Sequence, residues 1–89
     1  MNWTVRFSHK AKKQFAKLHE REQVLTTLLV GDLESQGPIV PQWQNYSRLE
    51  KARYHCHLNY RWVACWEVKD KTVQLIEIYY VGSRESAPY

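Results

Sequence analysis

The stretch "RYHCHLNYRWVACWEV", residues 53–68, sets the architecture of the chain. Side chains alternate across a β-strand, so parity sorts its residues onto two faces. In the first half Tyr54, Cys56 and Leu58 point one way, and Arg53, His55 and His57 the other. In the second half Trp62, Ala64, Trp66 and Val68 form an apolar face, with Arg61, Val63, Cys65 and Glu67 opposite. The two halves make a hairpin. A two-residue loop at Asn59-Tyr60 would pair Leu58 with Arg61 and mix the faces, so a three-residue loop or a bulge is expected.

The same parity weakens a metal site. Cys56 lies between two histidines but on the other face, so the three cannot bind one ion. His55 and His57 supply two ligands, and no CxxC or HxxxH pattern completes a set. No metal and no cofactor is expected. Cys56 and Cys65, the only cysteines, fall on opposite faces of the sheet, which argues against a disulfide.

Upstream of the hairpin, "NWTVRF" (2–7) alternates as a half-buried strand. Ser8 can cap a helix in which Ala11, Phe15 and Leu18 form one stripe, with Lys10, Lys12, Lys13 and Lys17 on the remaining faces. After a break near His19 a second helix is expected, with Val24, Leu25, Leu28, Leu29 and Leu33 as its buried stripe, ending at Gly37-Pro38. The segment 37–47 carries two prolines and no period, and is expected as an ordered loop pinned by Trp43 and Tyr46. Downstream, "KDKT" (69–72) makes a turn into a strand over 73–81, with Ile76, Ile78 and Tyr80 on its apolar face and Leu75, Glu77 and Tyr79 opposite. The order β-α-α-β-β-β implies one α+β domain over residues 1–89, an antiparallel sheet covered on one face by a two-helix hairpin. The open face would then carry His55, His57, Cys65, Glu67, Glu77 and Tyr79, with Arg53 and Arg61 at its margins.

The composition agrees with a globular domain: 44% hydrophobic and 25% charged residues. No apolar run approaches the ~20 residues of a membrane span, and the N-terminus lacks a signal core. A cytoplasmic protein is expected. The net charge of +4 favours a polyanionic partner.

The first strand, the basic helix "FSHKAKKQFAKL", the segment "YSRL" before "RYHCHL", the "WVACWEVKDK" hairpin and the closing "YYVGSRESAPY" together resemble the RelE/ParE superfamily of bacterial toxin–antitoxin systems. The resemblance spans nearly the whole chain. It implies a toxin of a type II system, a ribosome-dependent mRNA endonuclease that cuts without a metal through the 2′-hydroxyl. His55 and His57 match basic positions on the strand before the central hairpin, often lysines in RelE. Arg61 is the candidate for the hairpin arginine, although Val63 holds the aligned place. Arg84, after the last strand's glycine, and Tyr89 complete the implied catalytic set. Glu67 and Glu77 could orient a histidine and raise its pKa. Lys10, Lys12, Lys13, Lys17, Arg48, Lys51 and Arg53 would hold mRNA or ribosomal RNA phosphates. The implied partners are a cognate antitoxin, mRNA and the ribosome, with operator DNA reached only through the antitoxin. The resemblance leaves open a ParE-like alternative, a toxin that poisons DNA gyrase, and an inactive toxin-fold interaction module.

Overall fold

The computed structural model describes residues 2–89. The order of elements is β1 (Thr4–Phe7), α1 (His9–Ala16), α2 (Glu20–Gln36), β2 (Ser47–Glu50), β3 (Arg53–His57), β4 (Trp62–Asp70) and β5 (Leu75–Ser83), followed by a 3-10 turn at Arg84–Ser86. The strands form one sheet in the order β1-β5-β4-β3-β2. Neighbours are antiparallel except β1, which runs parallel to β5 with Val5 opposite Ile76. The expected α+β architecture is present, with a mixed sheet of five strands. The hairpins fix the direction of β2 to β5. β1 enters the helices instead of a hairpin, so no local turn sets its direction.

Each end of the helical hairpin has a physical cause. Ser8 Oγ accepts from the Ala11 N–H at 3.0 Å and starts α1. Glu20 and Glu22 in the first turn of α2 face its positive end. α2 stops at Gly37, whose φ of +89° suits glycine, and a Cβ there would lie 2.9 Å from Trp3 Nε1. The helices cover one face of the sheet over a core of Leu29, Leu33, Cys56, Ala64, Trp66, Ile76 and Ile78, all without solvent exposure. The loop before β2 is pinned as expected. Trp43 Nε1 donates to Asp32 Oδ2 at 2.8 Å, and the Tyr46 ring stacks on Tyr54 at 6.2 Å.

Four local expectations need correction. First, Ser47 does not close a loop but opens β2, a four-residue edge strand too short to show a period. Second, Val24 and Leu28 are exposed (52% and 58%), while Glu22 and Thr26 are buried. Apolar residues at 24, 25, 28 and 29 span more than one helical face, and packing on the sheet selects the line Glu22, Thr26, Leu29, Leu33. Thr26 Oγ1 donates to the Glu22 carbonyl at 2.7 Å, which makes its burial tolerable. Third, Tyr80 does not share a face with Ile76 and Ile78. Cys65 pairs with Tyr80 but Trp66 with Ile78, so Tyr79 is an extra residue. This bulge reverses the parity beyond it, turning Tyr80 to the open face and Val81 to the core. Fourth, the last turn falls later than "KDKT". β4 runs to Asp70, whose Oδ1 accepts from the N–H groups of Thr72 and Val73 at 2.9 and 3.2 Å.

The central hairpin matches its expectation. Asn59, Tyr60 and Arg61 form a three-residue loop, and Leu58 N–H donates to the Trp62 carbonyl at 2.7 Å. Leu58 and Trp62 thus stay on the core face. Cys56 and Cys65 are buried on opposite faces, both as free thiols. Burial raises both thiol pKa values, that of Cys65 to about 12.

Candidate active site

Strand register lays the open face out in rows. The first row crosses all five strands: Arg6, Glu77, Glu67, Arg53, Glu50. Arg6 Nε lies 3.0 Å from Glu77, and Arg53 Nε 3.2 Å from Glu67, which Lys69 also approaches at 3.5 Å. Arg53 also sits 5.0 Å above the Tyr79 ring. The carboxylates are thus engaged by arginines and a lysine. The expectation that Glu67 or Glu77 would orient a histidine fails, because the register places both one row away.

The second row is Ser47, His55, Cys65, Tyr80, and the third is His57, Val63, Gly82. Val63 and Cys65 are buried in a small second core with Tyr80, against which Tyr79 and Ala87 pack. The chain after β5 therefore folds back over the sheet. Tyr80 Oη donates to the Ser83 carbonyl at 2.7 Å, and a Cβ at Gly82 would lie 2.8 Å from the Tyr80 Oη. Glycine lets the Tyr80 ring lie along the strand and anchor the tail.

The folded tail brings Tyr89 onto His55, with ring centroids 4.3 Å apart. His55 is only 8% exposed, and its Nδ1 lies 3.1 Å from Ser47 Oγ. His57 is half-buried, 6.1 Å from His55 by ring centroids. Both imidazoles have lowered pKa values. For His55 burial is the main cause and His57 the second; for His57 burial comes first and then the Arg84 charge. The Tyr89 phenol moves the other way, raised mainly by burial. At neutral pH the site holds neutral imidazoles and a protonated phenol.

Beyond the third row, Arg61 and Arg84 line one cavity of about 330 Å³ with Tyr60, Trp62, Ser83 and Glu85. Arg84 N–H donates to the Arg61 carbonyl at 2.7 Å, and the Arg84 guanidinium lies 5.4 Å over the Tyr60 ring. Two cations beside neutral imidazoles and a phenol make a surface suited to a phosphodiester.

The other basic residues are dispersed. Lys10, Lys12, Lys13 and Lys17 are exposed on and just after α1 and make no ion pair among the described residues. Lys17 lines a groove with Trp62, Gly82, Ser83 and Ser86 that leads to the arginines. Lys51 lies in the turn after β2. Arg48 pairs with Tyr54, on the helix-covered side of the sheet, with its guanidinium 6.0 Å from that ring. Arg53 belongs to the ion-pair row. Three supporting residues escaped the sequence: Ser47, Tyr60 and Asn59. Only Asn59 carried a signal, as a turn-forming residue between two strands. Among the described residues no three His, Cys, Asp or Glu side chains cluster to hold a metal ion, and no helix is long and apolar enough to cross a membrane.

No protein-family model matches the chain, and no curated protein matches its sequence. Solved structures do. An archaeal RelE in complex with RelB from Pyrococcus horikoshii is 18% identical, with a TM-score of 0.82 over 98% of this chain and 100% of that one. The E. coli DinJ–YafQ toxin–antitoxin complex contains a chain 14% identical, with a TM-score of 0.78 over the whole of both chains. An arginine double mutant of the E. coli toxin RelE, in its free state, is 16% identical, with a TM-score of 0.77 over 98% of this chain and 88% of that one. The chain has the fold of the RelE-like toxins.

Proposed function

We propose that this protein is the toxin of a type II toxin–antitoxin system and an endoribonuclease that cuts mRNA on the ribosome. The observation that carries the proposal is the convergence of His55, His57 and Tyr89 on one sheet face, with Arg61 and Arg84 together at its rim. The pKa shifts support a division of labour. Neutral His57, the more open imidazole, takes the proton of a ribose 2′-hydroxyl. The freed oxygen attacks the adjacent phosphorus, and the bond from phosphorus to the 5′-oxygen breaks. Tyr89 gives its phenolic proton to that leaving oxygen. Arg61 and Arg84 hold the phosphate and stabilise its added charge. His55 backs Tyr89 and fixes its ring. The products are a 2′,3′-cyclic phosphate and a 5′-hydroxyl, and no step requires a metal.

The structural relatives in RelE–RelB and DinJ–YafQ complexes support a cognate antitoxin as partner. Operator DNA is then reached only through the antitoxin, and the protein works in the cytoplasm. The test is expression in growing bacteria with mapping of message ends. Wild type is expected to arrest growth and cut translated mRNA, and His57→Ala to reduce cutting by about 10²–10⁴-fold. Intact message with damaged DNA would replace this proposal by gyrase poisoning.

A further inference from the structure

One buried charge lies outside the chemistry. Glu22, in the first turn of α2, is 5% exposed. Its Oε2 accepts from Asn59 Nδ2 at 2.5 Å. Its Oε1 accepts no hydrogen bond, with His19 Nδ1 3.6 Å away from it. A buried carboxylate with an unpartnered oxygen is a cost to the fold that an apolar residue would avoid. A helix-dipole role would be served equally by an exposed carboxylate, so it does not explain the burial.

The other end of Asn59 supplies a reason. Its Oδ1 accepts from the N–H groups of Arg61 and Trp62 at 3.1 and 3.2 Å. The Arg61 carbonyl in turn accepts from the Arg84 N–H at 2.7 Å. An unbroken chain of hydrogen bonds thus runs from α2 through Asn59 to the backbone of both arginines. Without Glu22 the Asn59 amide has no fixed partner, and the loop carrying Arg61 keeps only its own turn and the bond from the Arg84 N–H.

We propose that Glu22 and Asn59 are positioning residues that fix the Arg61–Arg84 pair for phosphate binding in the transition state. The inference rests on the nuclease proposal for its catalytic consequence, and on geometry alone for the loop. Displacing a phosphate-holding group by about 1 Å can cost about 10²-fold in rate. Asn59→Asp keeps the acceptor for the Arg61 and Trp62 amides but sets two carboxylates against each other. Glu22→Gln/Asn59→Asp restores the contact with donor and acceptor exchanged.

The test is single-turnover cleavage of ribosome-bound message by the full chain, with amide hydrogen exchange at Arg61 and Trp62. Asn59→Asp is expected to lose about 10–100-fold in rate and to speed exchange at both amides. The double variant is expected to recover both. In an Arg61→Ala background, Asn59→Asp is expected to add a smaller loss, because only Arg84 is then left to displace. Full loss in that background, or a double variant that regains its melting temperature without its rate, overturns the positioning role. If wild type does not cut RNA, the nuclease proposal fails by itself, and hydrogen exchange decides the loop: unchanged exchange in Asn59→Asp overturns the proposal, and faster exchange with recovery in the double variant upholds it.

Discussion

His55 and Tyr89 meet ring to ring, 4.3 Å between centroids, and burial acts on them in opposite directions. It disfavours the charged imidazolium and equally the charged phenolate. The pH–rate profile should therefore rise through an apparent pKa below the ordinary histidine value of 6.5, and fall only above the ordinary tyrosine value of 10.0. Single-turnover rates across pH check this. His57→Ala should remove the acid limb, and Tyr89→Phe the alkaline one. Stability carries the same sign. The unfolded chain takes up a proton at His55 near pH 6.5, and the folded chain resists it until lower pH. The contribution is present above about 6.5 and is lost as pH falls through the folded value. His55→Gln should flatten the acid side of a plot of melting temperature against pH. At this scale parity in "RYHCHL" was enough to separate His55 and His57 from Cys56. The partners of the histidines were not legible, because they depend on strand register and on where the tail returns.

Two elements show why period alone falls short. In α2 four apolar residues crowd positions 24, 25, 28 and 29, and only contact with the sheet selects among them. Leu29→Ala is expected to lower stability by about 2–5 kcal/mol and Leu28→Ala by less than about 1, measured by denaturant unfolding. Gly31 sits in the same helix, and a Cβ added there would meet nothing within 4 Å. Gly31→Ala should raise stability by about 0.5–1 kcal/mol in the same assay. In β5 the extra residue at Tyr79 reverses every later side chain. Tandem tyrosines read as strand on either face, so the sequence held no sign of the bulge, yet it is what turns Tyr80 to the open face. There Tyr80 fastens the Ser83 carbonyl beside Arg84. By contrast, the three-residue loop at 59–61 was legible because the two flanking apolar patterns allowed no shorter join.

The molecule as a whole divides its open face by charge. At one end five residues form a mostly compensated ion-pair row. At the other stand Arg61 and Arg84, beside a groove that Lys17 lines with Trp62 and Ser83, and Lys10, Lys13 and Lys17 share a side of the α1 segment at i, i+3 and i+7. A single strand of RNA following those cations should bind with strong salt dependence. Replacing the three lysines by alanine should reduce the slope of log affinity against log salt by about 2. The layout was half legible: the alternation gave the faces, while the pairing of Glu67 and Glu77 with arginines required the register. The central claim is cleavage through a 2′-hydroxyl with His57 as base, and a message bound to a programmed ribosome tests it most directly. An all-ribose message should be cut to a 2′,3′-cyclic phosphate end, and one with a single 2′-deoxy residue at the cut should remain whole. Equal cutting of the two messages, or none of the all-ribose one, would contradict the account.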